Sequence, residues 1–391
     1  MTAPTTTSSA ATVSAPNISA PTASAPTVSA APATGRTRRR PAFHTLRIAA
    51  VEPLTEDSAA VTFDIPAELA EAFAFAPGQS LTLRREIEGR DERRSYSICS
   101  PVGSGPRIGV RAVPGGLFSS WLVNDVRPGE EVEVMVPTGL FTPDLSEPGH
   151  HVLIAAGSGI TPMLSIAASV LAADDRSRVT LFYGNRRTST VMFADELADL
   201  KDQYPTRFQL GHVLSREPRE AEMLSGRLDA DRLAALIGSL IDIGDADHWW
   251  LCGPHGMVRD AQGVLDGLGV PEGHIHQELF FADDEPIREV QHAEAPADGP
   301  VSEVTISLDG RTTTTPLPRH RSILEGAQQA RPDVPFACKG GVCGTCRALV
   351  CDGEAEMRRN FALEQSEVDA GYVLTCQTFA VSDSLTVDFD S

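Results

Sequence analysis

What the chain lacks narrows the field first. No apolar run approaches the ~18 residues that a helical membrane span needs, and none stands beside the early basic run Arg36, Arg38, Arg39 and Arg40, so no secretory leader is expected. Positive charge is scarce: 33 Lys and Arg stand against 53 Asp and Glu, a net charge of −20, which argues against nucleic acid and against an anionic membrane surface as partners. An even cysteine count is missing too. Seven cysteines without a leader do not read as a disulfide framework. A protein of a reducing compartment, the cytoplasm, is expected.

What is present reads as a multidomain globular chain. Its 391 residues exceed one ordinary core, and roughly 150 residues per domain suggests two or three. Residues 1–41 are Ala, Pro, Ser and Thr in imperfect repeats (Val13-Ser-Ala-Pro, Ala23-Ser-Ala-Pro), without charge before Arg36; such a segment buries too little to offset its ordering entropy, and disorder is expected. Residues 42–146 carry short alternating runs broken by Gly and Pro, among them Ser80-Leu-Thr-Leu83 and Glu131-Val-Glu-Val134, the pattern of a small antiparallel β-barrel with one helix near Phe118. Residues 147–282 alternate strand and helix, as a parallel sheet covered on both faces requires. An acidic, Pro/Ala-rich linker is expected over 283–299. In 300–391 a hairpin is expected to turn at Asp309-Gly310, with a short helix from Ser322.

Four cysteines carry the clearest chemistry. Cys338, Cys343, Cys346 and Cys376 have the spacing C-x4-C-x2-C-x29-C, which is that of a plant-type 2Fe-2S cluster with three ligands on one loop and the fourth arriving from downstream. Gly340, Gly341 and Gly344 allow positive φ, so the loop can wrap the cluster closely and turn backbone N–H groups toward it. A structural zinc site would show two C-x2-C pairs, and only Cys343 and Cys346 form one.

The earlier motifs are weaker singly. Arg94, Tyr96 and Ser97 place a cation, a ring and a hydroxyl on one strand, fit for a phosphate-bearing aromatic cofactor or for plain half-buried packing. Gly116 and Ser119 open the barrel's helix, where free N–H groups could meet an anion. Gly157-Ser-Gly159-Ile-Thr161 lies at a strand-to-helix turn, where a pyrophosphate could sit or the chain could merely turn. Ser215-Arg216 could read a 2′-phosphate or be solvated. Cys252-Gly253 and Glu278 end strands and could line a nicotinamide site; Cys252 could equally be an inert buried thiol.

Taken in order, Arg94-x-Tyr96-Ser97, Gly115-Gly116-x-x-Ser119, Gly157-x-Gly159-x-Thr161-Pro162, Tyr183-Gly-Asn-Arg186, Ser215-Arg216, Cys252-Gly253-Pro254 and Glu278-x-Phe280 resemble the ferredoxin-NADP reductase superfamily from about residue 43 to 282. The resemblance implies three parts: an FAD-binding antiparallel β-barrel, an α/β parallel-sheet domain for NADPH, and an α+β, β-grasp-like 2Fe-2S ferredoxin domain. It implies that Arg94, Tyr96, Ser97, Gly116 and Ser119 bind FAD, and that Thr161 lies near both cofactors. Gly157, Gly159, Gly253, Arg186, Ser215 and Arg216 then serve NADPH, while Ser97, Cys252 and Glu278 surround the reacting rings. The reductase-then-ferredoxin order is similar to that of oxygenase reductases. Ala337–Ala348, Met357–Glu364 and Gly371–Gln377 look most like the reductases of phenylacetyl-CoA epoxidase, with those of 3-ketosteroid 9α-hydroxylase as the alternative. Electron flow from NADPH through FAD and the cluster to a di-iron epoxidase partner is therefore expected; a stand-alone NAD(P)H diaphorase would keep every motif.

Overall fold

The computed structural model describes residues 27–29, 42–87, 89–280 and 299–391. Three residues of the segment expected to be disordered form a strand, β1 (Thr27–Ser29); the rest of 1–41 lies outside the described residues, as does 283–299 except its last residue.

The first sheet holds β2 (Phe43–Thr55), β3 (Ser58–Asp64), β4 (Ser80–Ile87), β5 (Arg90–Ser97), β6 (Arg107–Arg111) and β7 (Glu131–Met135), in the antiparallel order β5-β4-β7-β2-β3-β6. An Ile98–Ile108 bridge joins the end of β5 to β6 and closes the sheet on itself. The 13-residue β2 can bend around this barrel because its register with β3 shifts at Ile48/Ala50 and Pro53/Thr55, as bulges do. Alternate residues point inward, so Leu46, Val61, Leu81, Leu83, Ile108 and Val134 fill the interior. The expected helix is α1 (Leu117–Ser120), running on through a π turn, Trp121–Asp125.

The second sheet is all parallel: β8 (His150–Ala156), β9 (Arg178–Asn185), β10 (Phe208–Leu214), β11 (His248–Gly253) and β12 (Ile275–Leu279), ordered β10-β9-β8-β11-β12. Helices α2 (Ile160–Ala173), α3 (Ala194–Gln203), α4 (Ala230–Leu240) and α5 (His255–Gly267) connect them. Val152, Leu153, Ile154 and Ala155 of β8 are all fully buried, because helices cover both faces. The chain winds outward from β8 to β10, then crosses back to β11. The resulting switch point lies between the carboxyl ends of β8 and β11, where such sheets bind ligands.

The third sheet contains β13 (Val301–Leu308), β14 (Arg311–Pro318), β15 (Arg347–Met357), β16 (Tyr372–Leu374) and β17 (Thr378–Asp388). Its order is β1-β15-β17-β13-β14, with β16 also on β15 and with β13 and β17 parallel. The β13–β14 turn falls at Asp309 and Gly310, with φ of 55° and 66°, the pair of positive angles a tight hairpin needs. Ser322 and Glu325 form a capping box that starts α6 (Ile323–Ala330). β1 adds to the rim by pairing antiparallel with Glu354–Glu356; an unpaired sheet edge offers N–H and C=O groups to any extended segment, which propensity in the tail could not register. No helix among the described residues is long and apolar enough to cross a membrane.

Candidate functional site

The four cysteines converge at one end of the third domain. Cys338 and Cys343 are close enough to hydrogen-bond, as are Cys346 and Cys376, and each pair feels the other's charge. Two thiols per pair is the arrangement a two-iron cluster asks for, each iron taking two protein sulfurs. Among the described residues no His, Cys, Asp or Glu group has the closer arrangement of a single-ion site. The Gly340 N–H donates to Cys338 Sγ at 3.3 Å, and Thr345 donates to Cys343 through backbone and side chain. These donors favour thiolate, and the donor set fits the cluster. Gly341 and Gly344 use the freedom and take positive φ (82° and 63°); Gly340 does not, while Lys339 does, at 52°. The left-handed turn thus falls one residue before the glycine pair. Cys351 is exposed, on the strand leaving the loop.

The loop abuts the barrel. Thr345 Oγ1 lies 3.3 Å from Ser95 Oγ on β5. Two residues along β5, the buried Ser97 donates to Glu278 Oε2 at 3.0 Å. All three domains meet along this strand. Glu278 is half-buried at the junction, and its desolvation there pushes its carboxyl up to about 7; the Ser97 hydrogen bond opposes that rise and nearby Cys343 adds to it. Cys252 is the register partner of Glu278 on the neighbouring parallel strand. Burial, and then Glu278, push its thiol well above the usual range, so it is a neutral, compact group. A cavity of about 460 Å³ lies alongside, lined by Gln79, Thr138, Phe141, Glu278, Cys343 and Arg347 among others.

Around this junction the remaining expected residues fall into two groups. On the barrel, Tyr96 packs its ring 6.3 Å from Phe118. Arg94 is exposed, ion-paired to Glu92 at 2.9 Å and donating to the Arg93 carbonyl at 2.7 Å. Ser119 Oγ accepts from the Val113 N–H at 3.1 Å, and a Cβ on Gly116 would stand 2.8 Å from that hydroxyl. This closes a tight loop at the start of α1.

At the switch point, Gly157 takes φ +58° and its carbonyl accepts from Tyr183 Oη at 2.9 Å. A Cβ on Gly159 would lie 2.1 Å from the Cys252 carbonyl oxygen, and one on Gly253 would lie 2.7 Å from Met257 Cε and 3.2 Å from the Ala156 nitrogen. The bare backbone is what lets β8 and β11 deliver their turns side by side. Thr161 is buried, donating to the Ser158 carbonyl at 3.0 Å. Its methyl presses on barrel strand β6, where a Cβ on Gly109 would come within 2.5 Å. Arg186 and Arg216 stand together at the ends of β9 and β10: the Arg216 N–H donates to the Arg186 carbonyl at 2.8 Å, and the Ser215 N–H to that of Asn185 at 2.9 Å. Both arginines are exposed, and among the described residues neither has an ion-pair partner. Two such guanidiniums beside a hydroxyl suit a phosphate.

Sequence reasoning missed the partners of β5. Arg93 is 4% exposed and reaches the third domain, a contact with no local signature.

Comparison with known proteins agrees with this geometry. Three family models match in order: the oxidoreductase FAD-binding domain over residues 45–142, the oxidoreductase NAD-binding domain over 153–263, and the 2Fe-2S iron-sulfur cluster binding domain over 306–381. The chain is 42% identical to a subunit of the 1,2-phenylacetyl-CoA epoxidase of Escherichia coli (strain K12), across 89% of this chain and 98% of that one. It is 34% identical to the 3-ketosteroid-9-alpha-monooxygenase ferredoxin reductase component of Rhodococcus rhodochrous, across 88% and 96%. The solved structure of phthalate dioxygenase reductase, described as modular for electron transfer from pyridine nucleotides to [2Fe-2S], matches with a TM-score of 0.55 at 28% identity, over 89% of this chain and 98% of that one. Domain order, end-to-end identity and the paired cysteines lead to one assignment: the chain belongs to the family of oxygenase reductases in which an FAD-binding, an NAD-binding and a 2Fe-2S domain succeed one another.

Proposed function

We propose that the chain draws electrons from NADPH and delivers them, through FAD and the 2Fe-2S cluster, to a di-iron epoxidase that acts on phenylacetyl-CoA. The meeting of domains on β5 carries the reading, with Ser97 on Glu278 and Ser95 on Thr345 of the cluster loop. Bound FAD supplies the conversion between a two-electron hydride and a one-electron cluster.

The chain's own residues then have these roles. Tyr96 lies along the flavin ring. Arg94 exchanges Glu92 for flavin phosphate, beside Gly116 and Ser119. The Ser97 hydroxyl bonds the flavin near its reacting nitrogen. Glu278, its proton retained near neutrality by burial, and Cys252 frame the nicotinamide without placing a fixed negative charge against it. Gly157, Gly159 and Gly253 admit the dinucleotide backbone, with Thr161 between the two cofactors, and Arg186, Ser215 and Arg216 hold the 2′-phosphate. Cys338, Cys343, Cys346 and Cys376 ligate the cluster.

The 42% identity to the E. coli epoxidase protein, against 34% for the steroid relative, supports the epoxidase as partner. A cytoplasmic location fits seven free cysteines. The deciding experiment reconstitutes the purified protein with each candidate oxygenase and scores NADPH-dependent epoxidation of phenylacetyl-CoA against steroid hydroxylation. Turnover with the steroid system alone refutes the partner, and equal NADPH oxidation with and without any oxygenase favours a stand-alone diaphorase.

A further inference from the structure

β5 has two faces, because successive side chains on a strand point opposite ways. Arg94 and Tyr96 lie on one. Arg93, Ser95 and Ser97 lie on the other, and each meets another domain: Ser97 meets Glu278, Ser95 meets Thr345, and Arg93 meets the segment leading into the cluster loop. Arg93 is the largest of the three and the most specific. Its guanidinium centre is 3.8 Å from the Phe336 ring centroid and 5.2 Å from that of Phe43 on the barrel, so the cation bridges one aromatic ring from each domain. Asp91 holds it in place, with Oδ2 at 2.7 Å from Nη2, and Nη1 points to the Val334 carbonyl at 3.5 Å. Phe336 is itself buried and stands two residues before Cys338. A buried guanidinium needs its charge answered, and here an acid of the barrel together with the ring and carbonyl of the third domain answer it.

We infer that Arg93 is a positioning residue for electron transfer within the chain: by stacking on Phe336 it fixes the cluster loop against the strand that carries the flavin-binding residues. The 2Fe-2S cluster and the flavin site are thus held at a set separation by one cation shared between two domains. Arg93 touches neither group directly. Asp91 orients the guanidinium, and Phe43 closes its second face.

Arg93→Gln tests this, with Phe336→Leu as the reciprocal variant and the parent protein loaded with FAD and cluster alongside. Reduction of the flavin by NADPH, followed by rapid-mixing absorbance, is expected to stay within about twofold of the parent, while electron arrival at the cluster slows by about tenfold or more, because a loop no longer fixed by Arg93 holds the cluster at a longer and more variable distance from the flavin site. The cluster's absorption and EPR signatures stay unchanged. Apart from turnover, deuterium uptake across residues 331–337 is expected to rise in Arg93→Gln. The double variant is expected to be no slower than the worse single one, because both remove the same contact. Cluster reduction within twofold of the parent in both single variants overturns the inference. So does loss of flavin from Arg93→Gln, or an equal slowing of flavin and cluster reduction, either of which assigns Arg93 to the flavin site.

Discussion

Lowering the pH should weaken the second domain through one histidine, His151. It lies on β8 and is 2% exposed. Its Nδ1 accepts a hydrogen bond from Trp250 Nε1 at 3.1 Å, and its ring stacks on that of His248 at 5.1 Å. An indole nitrogen can only donate, so Nδ1 must be bare, and protonating it sets two donors against each other. Burial first and then the neighbouring His248 lower its pKa from 6.5 to about 4, against a smaller opposing pull from Asp247. The folded state therefore binds fewer protons than the unfolded one, and stability rises with pH. The contribution is complete above pH 6.5 and is lost as pH falls from 6.5 toward 4. At ~1.4 kcal/mol per pH unit its full size is about 3 kcal/mol. Two of the three tryptophans, Trp249 and Trp250, are on β11 beside it, so tryptophan fluorescence during urea unfolding follows this domain. Carboxylates elsewhere titrate over the same range, and the difference between parent and His151→Gln isolates the histidine, since glutamine can still accept from Trp250. The parent is expected to lose about 3 kcal/mol more than the variant between pH 7 and pH 4. Equal pH slopes, or an NMR titration of His151 near 6.5, would refute the reasoning.

Other outcomes follow from the cysteine pairs, the exposed arginines and the crowded glycine. Cys376→Ser should abolish the 2Fe-2S spectrum and leave the flavin spectrum intact, because Cys346 then loses its partner; the exposed Cys351→Ser should leave both, and absorbance checks each. Arg216→Ala should raise KM for NADPH by about tenfold with little change for NADH, since one guanidinium–phosphate contact is worth roughly 1.5–3 kcal/mol; comparable kcat/KM for the two coenzymes in the parent would defeat the NADPH assignment. Gly159→Ala should destabilise the second domain by at least about 2 kcal/mol, because the added methyl meets the Cys252 carbonyl oxygen at 2.1 Å, a backbone atom with little freedom to move. Denaturant unfolding measures that loss, and NADPH oxidation should fall with it.

Features legible in the sequence were those whose cause is local. The hairpin turns at Asp309-Gly310 because those residues tolerate positive φ, and the Ser322/Glu325 box announces its helix with its own side chains. The cysteine spacing belongs here too: three of four thiols sit on one loop, so their order along the chain nearly determines their order in space. Where the cause is the meeting of distant surfaces, local pattern carries nothing. Arg93 and Val334 are 241 residues apart, and an arginine beside Arg94 on a barrel strand looks like any solvated cation until Phe336 is brought over it. Likewise Thr27–Ser29 have no strand pattern of their own; the free edge at Glu354–Glu356 orders them. Even within the loop, the positive φ fell on Lys339 rather than Gly340, since the path of the chain around Cys338 is decided by where its sulfur must point and glycine only lowers the cost of one solution. A family resemblance therefore supplies the cofactor-binding residues of β5, Arg94, Tyr96 and Ser97, and the contacts of Arg93 and Ser95 that couple the domains have to be read from the fold.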